Sequence, residues 1–157
     1  MKKKIIAVVA ILLCVGTVNV FAFGIGVQAG GTFGTGVGGG AALTFSFGHP
    51  WYFAVDFGFG DNSFGVGVTG DYWFYNPTIT GPLSFYIGGG IFGSVWLGDN
   101  VAFTVGGRIP IGLDLKLAKN VIELYLQVAP GFGARIASNS GGFYWTIPVN
   151  LGVRFWF

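Results

Sequence analysis

Between Phe143 and Phe157 every second residue is apolar: Phe143, Trp145, Ile147, Val149, Leu151, Val153, Phe155 and Phe157. The intervening positions hold Tyr144, Thr146, Pro148, Asn150, Gly152, Arg154 and Trp156, which are mostly polar or small. A period of two belongs to a β-strand with one face in an apolar medium. A strand that sustains the pattern this long has to place its whole apolar face somewhere dry.

The rest of the chain offers no helical way to do so. Hydrophobic residues make up 52% of the 157 and charged residues 9%, against about 25% charged in an ordinary soluble domain. Beyond the N-terminal segment no apolar run reaches helix length, because the 30 glycines interrupt every candidate and glycine is a poor helix former. A lipid-embedded backbone must satisfy its own hydrogen bonds, so only helices and closed barrels span a bilayer. The composition therefore predicts an all-β chain closed on itself.

The N-terminus reads as a targeting segment. Lys2, Lys3 and Lys4 precede the apolar stretch Ile5 to Val18, and Val20-Phe21-Ala22 provides a signal-peptidase site. Cleavage is expected after Ala22, dividing the chain into a signal peptide, 1–22, and a barrel domain, 23–157. Removing three lysines turns the formal charge of +2 into −1, so no nucleic-acid partner is expected. Cys14, the only cysteine, falls in the same segment, with the bulky Leu13 where a lipidation site wants a small residue. The mature chain then has no thiol chemistry.

Eight alternating segments can be read between turn-rich breaks. Their apolar faces carry Phe23 to Ala29, Leu43 to Phe47, Trp51 to Phe59, Phe64 to Phe74, Leu83 to Leu97, Val101 to Leu117, Ile122 to Phe132 and Phe143 to Phe157. The charges fall on the other face. Asp56, Asp71, Arg108, Asp114, Lys116, Glu123, Arg135 and Arg154 all occupy polar-face positions, and Asp61, Asp99 and Lys119 sit in turns. A Lys or Arg facing lipid at the bilayer midplane would cost about 2–4 kcal/mol. A soluble barrel is wired the opposite way, with charges outside. The segregation predicts an eight-stranded antiparallel up-and-down transmembrane β-barrel with a polar interior.

The terminal pattern, and the alternation along the whole mature chain, resemble the small outer-membrane β-barrels of diderm bacteria: the OmpA transmembrane domain, OmpX and OmpW. Arg108-Ile109-Pro110-Ile111-Gly112-Leu113 and Glu123-Leu124-Tyr125-Leu126 also look like an uncharacterised family of spirochaetal outer-membrane barrels. The resemblance implies residence in outer-membrane lipid, and a monomer is expected. It also implies that Val153, Phe155 and Phe157 form the signal read by the barrel-insertion machinery. The connections are shorter than the long loops of OmpX and OmpW, which argues against adhesion. Both termini are expected on the periplasmic side.

An eight-stranded barrel has room for little beyond its own side chains. The inward set balances four acids against four bases, and buried charges must be paired. A structural barrel with an ion-paired interior is therefore the first reading, and a narrow channel or small-ligand carrier the alternative. A Lys119-Asn120 turn would set Lys116 opposite Glu123 as one such pair. Pro110, Pro130 and Pro148 should bulge their strands or mark strands that run beyond the membrane, and Gly88-Gly89-Gly90 is a candidate register shift. Trp51-Tyr52, Tyr72 to Tyr75, Phe85-Tyr86 and Phe155 to Phe157 should gather at one rim, with Trp96 and Phe143 to Trp145 toward the other. No metal, cofactor or catalytic set is expected: His49 is the sole histidine, in a predicted turn without partners.

Overall fold

A computed structural model describes residues 22–35, 37–60, 63–98, 101–137 and 140–157. The expected signal peptide, with Cys14, and the turn residues Asp61 and Asp99 lie outside the described residues. The chain runs through β1 (Gly24–Gly34), β2 (Gly38–Ser46), β3 (Trp51–Gly60), β4 (Ser63–Tyr75), β5 (Thr78–Thr80), β6 (Leu83–Leu97), β7 (Ala102–Arg108), β8 (Ile111–Leu117), β9 (Ile122–Val128), β10 (Gly131–Ala137) and β11 (Ser140–Trp156).

Eight wall strands form the barrel. β7 with β8, and β9 with β10, are single wall strands interrupted in the middle, and β5 continues the ladder of β4 along β6 in the same register, beyond the break at Asn76-Pro77. Every neighbouring pair is antiparallel, and β1 closes the ring against β11 from Gly24↔Trp156 to Gly34↔Thr146. Below that ladder the Phe157 and Phe23 backbones exchange two further hydrogen bonds, of 2.9 and 3.2 Å. Among the described residues no sheet edge is left along the wall, so the backbone polar groups can enter lipid.

The interruptions fall at Ile109-Pro110 and Ala129-Pro130, where proline removes a ladder donor. Pro148 behaves differently: it stays within β11, opposite Thr32. All three proline carbonyls still accept across the wall, from Gly88 (2.9 Å), Ile109 (2.8 Å) and Ala129 (3.0 Å). The expected breaks are thus two local gaps stitched together by the prolines' own carbonyls. The glycine run 88–90 does not shift the register of β6. The irregularity sits on the partner strand, where β4 carries an extra residue between Tyr72 and Tyr75.

Side chains alternate strictly across this wall. Large apolar residues such as Val68, Ile91, Val105, Leu126, Leu151 and Phe155 stand exposed on the outside. Polar ones such as Gln28, Thr44, Asp71, Glu123 and Arg154 are buried within. Soluble monomers do not expose an apolar band of this extent. The aromatics of the terminal rim divide between the two faces: Trp51, Tyr72 and Phe74 face outward, whereas Tyr52, Trp73 and Tyr86 are buried inside. Inward positions are simply the alternate ones, whatever residue occupies them.

Candidate functional site in the barrel interior

The interior divides into two halves of different chemistry. The half nearer the chain termini is solid. Trp73 of β4 is sandwiched between Tyr52 of β3, with ring centroids 3.6 Å apart, and Tyr86 of β6, at 3.5 Å and 7° between planes. Tyr86 crosses the inward face of Gly112 on the neighbouring strand, where an added Cβ would lie 2.5 Å from its ring. Tyr125 covers Gly152 in the same way and donates from its hydroxyl to Gln28 Oε1 at 3.0 Å. Small residues on one strand thus create the space that large rings on the next strand fill.

Charges lock this stack. The Arg154 guanidinium lies 4.7 Å from the Tyr52 ring centroid and 4.8 Å from that of Tyr125. It donates to Glu123 Oε2 at 3.0 Å, and the Trp156 indole N–H donates to the same oxygen at 2.6 Å. Cation–aromatic attraction strengthens when the partners are desolvated, as here. Lys116 stands opposite Glu123 in the ladder, as the turn predicted, yet its ion pair is with Asp114, at 3.6 Å. Glu123 is taken from its other side, because Arg154 is its register partner on β11. The hairpin fixed the register but not the choice of partner.

Above this plug, Arg108 makes a two-pronged pair with Asp71: Nε donates to Oδ1 at 2.8 Å and Nη2 to Oδ2 at 2.6 Å. The pair marks the boundary with the second half, which is open. A cavity of about 630 Å³ occupies it, bounded by rim residues such as Gly38, Ser63 and Gly98. Its existence has a simple cause. The ladders place Asn150, Gly30, Gly40, Gly58, Gly65 and Trp96 side by side around the wall. Four consecutive inward positions carry no side chain, and the Trp96 indole lies over Gly58 and Gly65. A parallel row sets Phe92 and Tyr144 on either side of Gly106 and Gly133. Their rings approach to 6.1 Å between centroids.

Of the eight charged residues singled out in the sequence, Asp71, Arg108, Asp114, Glu123 and Arg154 are buried inside. Lys116 and Asp56 are half-buried inside, and Arg135 lines the cavity while remaining exposed. Val153, Phe155 and Phe157 lie on the outward face at the terminal rim. The rings of Tyr52, Trp73, Tyr86, Phe92 and Trp96 are the interior residues that sequence reasoning did not gather. Their even alternation against outward Phe and Val was the available signal. His49 sits exposed in the turn between β2 and β3, and no cluster of potential metal ligands occurs among the described residues.

Geometry and wall topology define the class: this is the fold of the small outer-membrane β-barrel proteins. The barrel superimposes on Neisserial surface protein A with a TM-score of 0.61 at 14% identity, covering 87% of this chain and 97% of that one. The N-terminal barrel domain of Pseudomonas aeruginosa OprF gives 0.51 at 17% identity, covering 85% and 97%. A major outer membrane protein from Thermus thermophilus gives 0.51 at 14% identity, covering 87% and 100%. The sequence matches no protein-family model and no curated protein.

Proposed function

We propose that the protein is an integral outer-membrane β-barrel that serves as a structural element of the membrane and does not conduct. One observation carries the second part of this reading. Tyr86, Asp114 and Glu123 have no exposed surface at all, and Trp73 has 1%. A water-filled path past these side chains would wet them, whereas all four are shielded from solvent. The ion-paired, ring-stacked interior is then a permanent plug, consistent with how little room eight strands enclose. The outward apolar band supports lipid residence. The terminal rim faces the periplasm in this reading, and Val153, Phe155 and Phe157 present the insertion machinery with its signal.

The test is electrical. Protein refolded into planar bilayers should show no discrete openings. The double substitution Trp73→Ala with Tyr86→Ala, which empties the plug, should produce them. Regular conductance steps from the unsubstituted barrel would replace the structural reading by the channel.

A further inference from the structure

We propose that the open half of the barrel is a binding pocket for a neutral sugar, with Trp96 as the surface on which the pyranose ring stacks. This goes beyond the plugged-barrel reading and stands whether or not the lower half conducts. Two glycines place the indole. A Cβ on Gly65 would lie 2.8, 2.9 and 2.9 Å from Cδ2, Cε2 and Cε3 of Trp96. Near-equal distances to three atoms of one ring put Gly65 beneath the face of that ring and not at its edge. A Cβ on Gly58 would meet the far side of the same ring, with Cη2 at 2.6 Å and Cζ2 at 3.1 Å. The indole thus lies flat against bare backbone. Trp96 is half-buried and lines the cavity, so its other face is turned to the lumen.

That face, negative above the ring, attracts C–H groups laid across it. The rest of the lining asks for something else. Thr32, Ser63 and Asn150 bring hydroxyl and amide groups to the same cavity. A wholly apolar guest would strip water from them without replacing its hydrogen bonds, which is unfavourable. A pyranose meets both demands, with C–H bonds on one face for the indole and hydroxyls around its edge for the polar groups. Charge gives no ion an advantage. Arg108 is paired with Asp71, and the other charged residues lining the cavity, among those described, are Asp56 and Arg135, one of each sign. The volume of about 630 Å³ falls within the roughly 300–1,000 Å³ of small-ligand pockets and accommodates a small saccharide.

The probes are the neutral methyl pyranosides of β-galactose, β-glucose, α-mannose and N-acetyl-β-glucosamine. They are titrated into the full barrel, labelled with 5-fluorotryptophan and refolded in tetraethylene glycol monooctyl ether, an uncharged detergent without a sugar head. The Trp96 fluorine resonance, identified as the one missing from folded Trp96→Phe, should shift saturably with at least one of these sugars. The resonances of Trp51 and Trp145, on the outer wall, should stay in place. The midpoint should lie at least tenfold below those for glycerol, which has hydroxyls without a ring face, and benzyl alcohol, which has a ring face with a single hydroxyl. Saturation-transfer NMR should show affinity for the sugar falling at least tenfold in Trp96→Leu, whose folding the heat-shifted gel band reports. Should Trp96→Leu fail to fold, the Trp96 shift in the unsubstituted barrel decides the matter. No Trp96 shift with any of the sugars, an equal response to glycerol or benzyl alcohol, or undiminished binding by folded Trp96→Leu would each overturn the proposal.

Discussion

Asp71 and Arg108 form their two-pronged ion pair across a strand that lies between them. Asp71 is on β4 and Arg108 on β7, and the β6 residue in register with both is Gly90. A Cβ on Gly90 would lie 2.7 Å from the Gly70 carbonyl oxygen and 3.1 Å from the Asp71 carboxyl carbon. The glycine is what lets a carboxylate and a guanidinium on non-adjacent strands meet.

Gly90→Ala should therefore disrupt the pair without touching either charge. Removing one partner of a buried ion pair costs about 3–5 kcal/mol, and Asp71→Asn should approach that loss in urea unfolding from lipid vesicles. Gly90→Ala should lose a substantial part of it, and the two changes together should be clearly less than additive. Full additivity would mean that Gly90 acts independently of the pair.

Arg154→Lys should not behave as a conservative change. The guanidinium meets Tyr52 and Tyr125 and donates to Glu123 at once, whereas an ammonium is a point charge without a planar face. A loss of about 1–2 kcal/mol in unfolding free energy is expected from the weaker aromatic contacts. An unchanged unfolding midpoint would show that the rings contribute little.

Gly152→Ala tests the ring-over-glycine packing. The Tyr125 ring occupies the inward side of Gly152, with its Cε1 2.7 Å from where a Cβ would stand. Overpacking of this kind costs about 1–3 kcal/mol, and Tyr125→Ala in the same chain should recover part of the loss. A stability change that Tyr125→Ala leaves untouched would place the strain elsewhere, in the backbone of β9.

Leu151→Arg puts a charge on the outward face of β11, where Leu151 is 65% exposed. If that face meets lipid near the midplane, the cost is about 2–4 kcal/mol. Refolding into phospholipid vesicles should fall sharply, while detergent micelles, which can let water reach the charge, should tolerate the change better. Equal yields in both would argue against a lipid-facing wall.

Orientation is testable at β5, the last segment before the turn into β6 at the terminal rim. Cysteine introduced at Thr80, which is exposed, should resist a membrane-impermeant maleimide on intact cells and react after the outer membrane is permeabilised. Labelling on intact cells would invert the proposed topology.

The alternation of Phe143 to Phe157, repeated along the chain with every strand charge on one parity, was enough to determine an inside-out barrel. Parity is a local property: each strand's two faces follow from its own residues, and a single lipid-facing charge is costly enough to forbid exceptions. The ends of β1 and β2 were harder to read, because Gly30, Gly31 and Gly38 to Gly40 have no side chain by which to declare a face. Partners across the lumen were out of reach altogether. Adjacent strands can be paired from a turn, as Lys116 and Glu123 were, but Asp71 and Arg108 are 37 residues apart in sequence and separated by a strand. Which glycines share a row, and hence where the cavity opens, depends on the relative stagger of all eight wall strands. That stagger is a property of the closed ring, fixed only when β1 meets β11, and no single strand's sequence contains it.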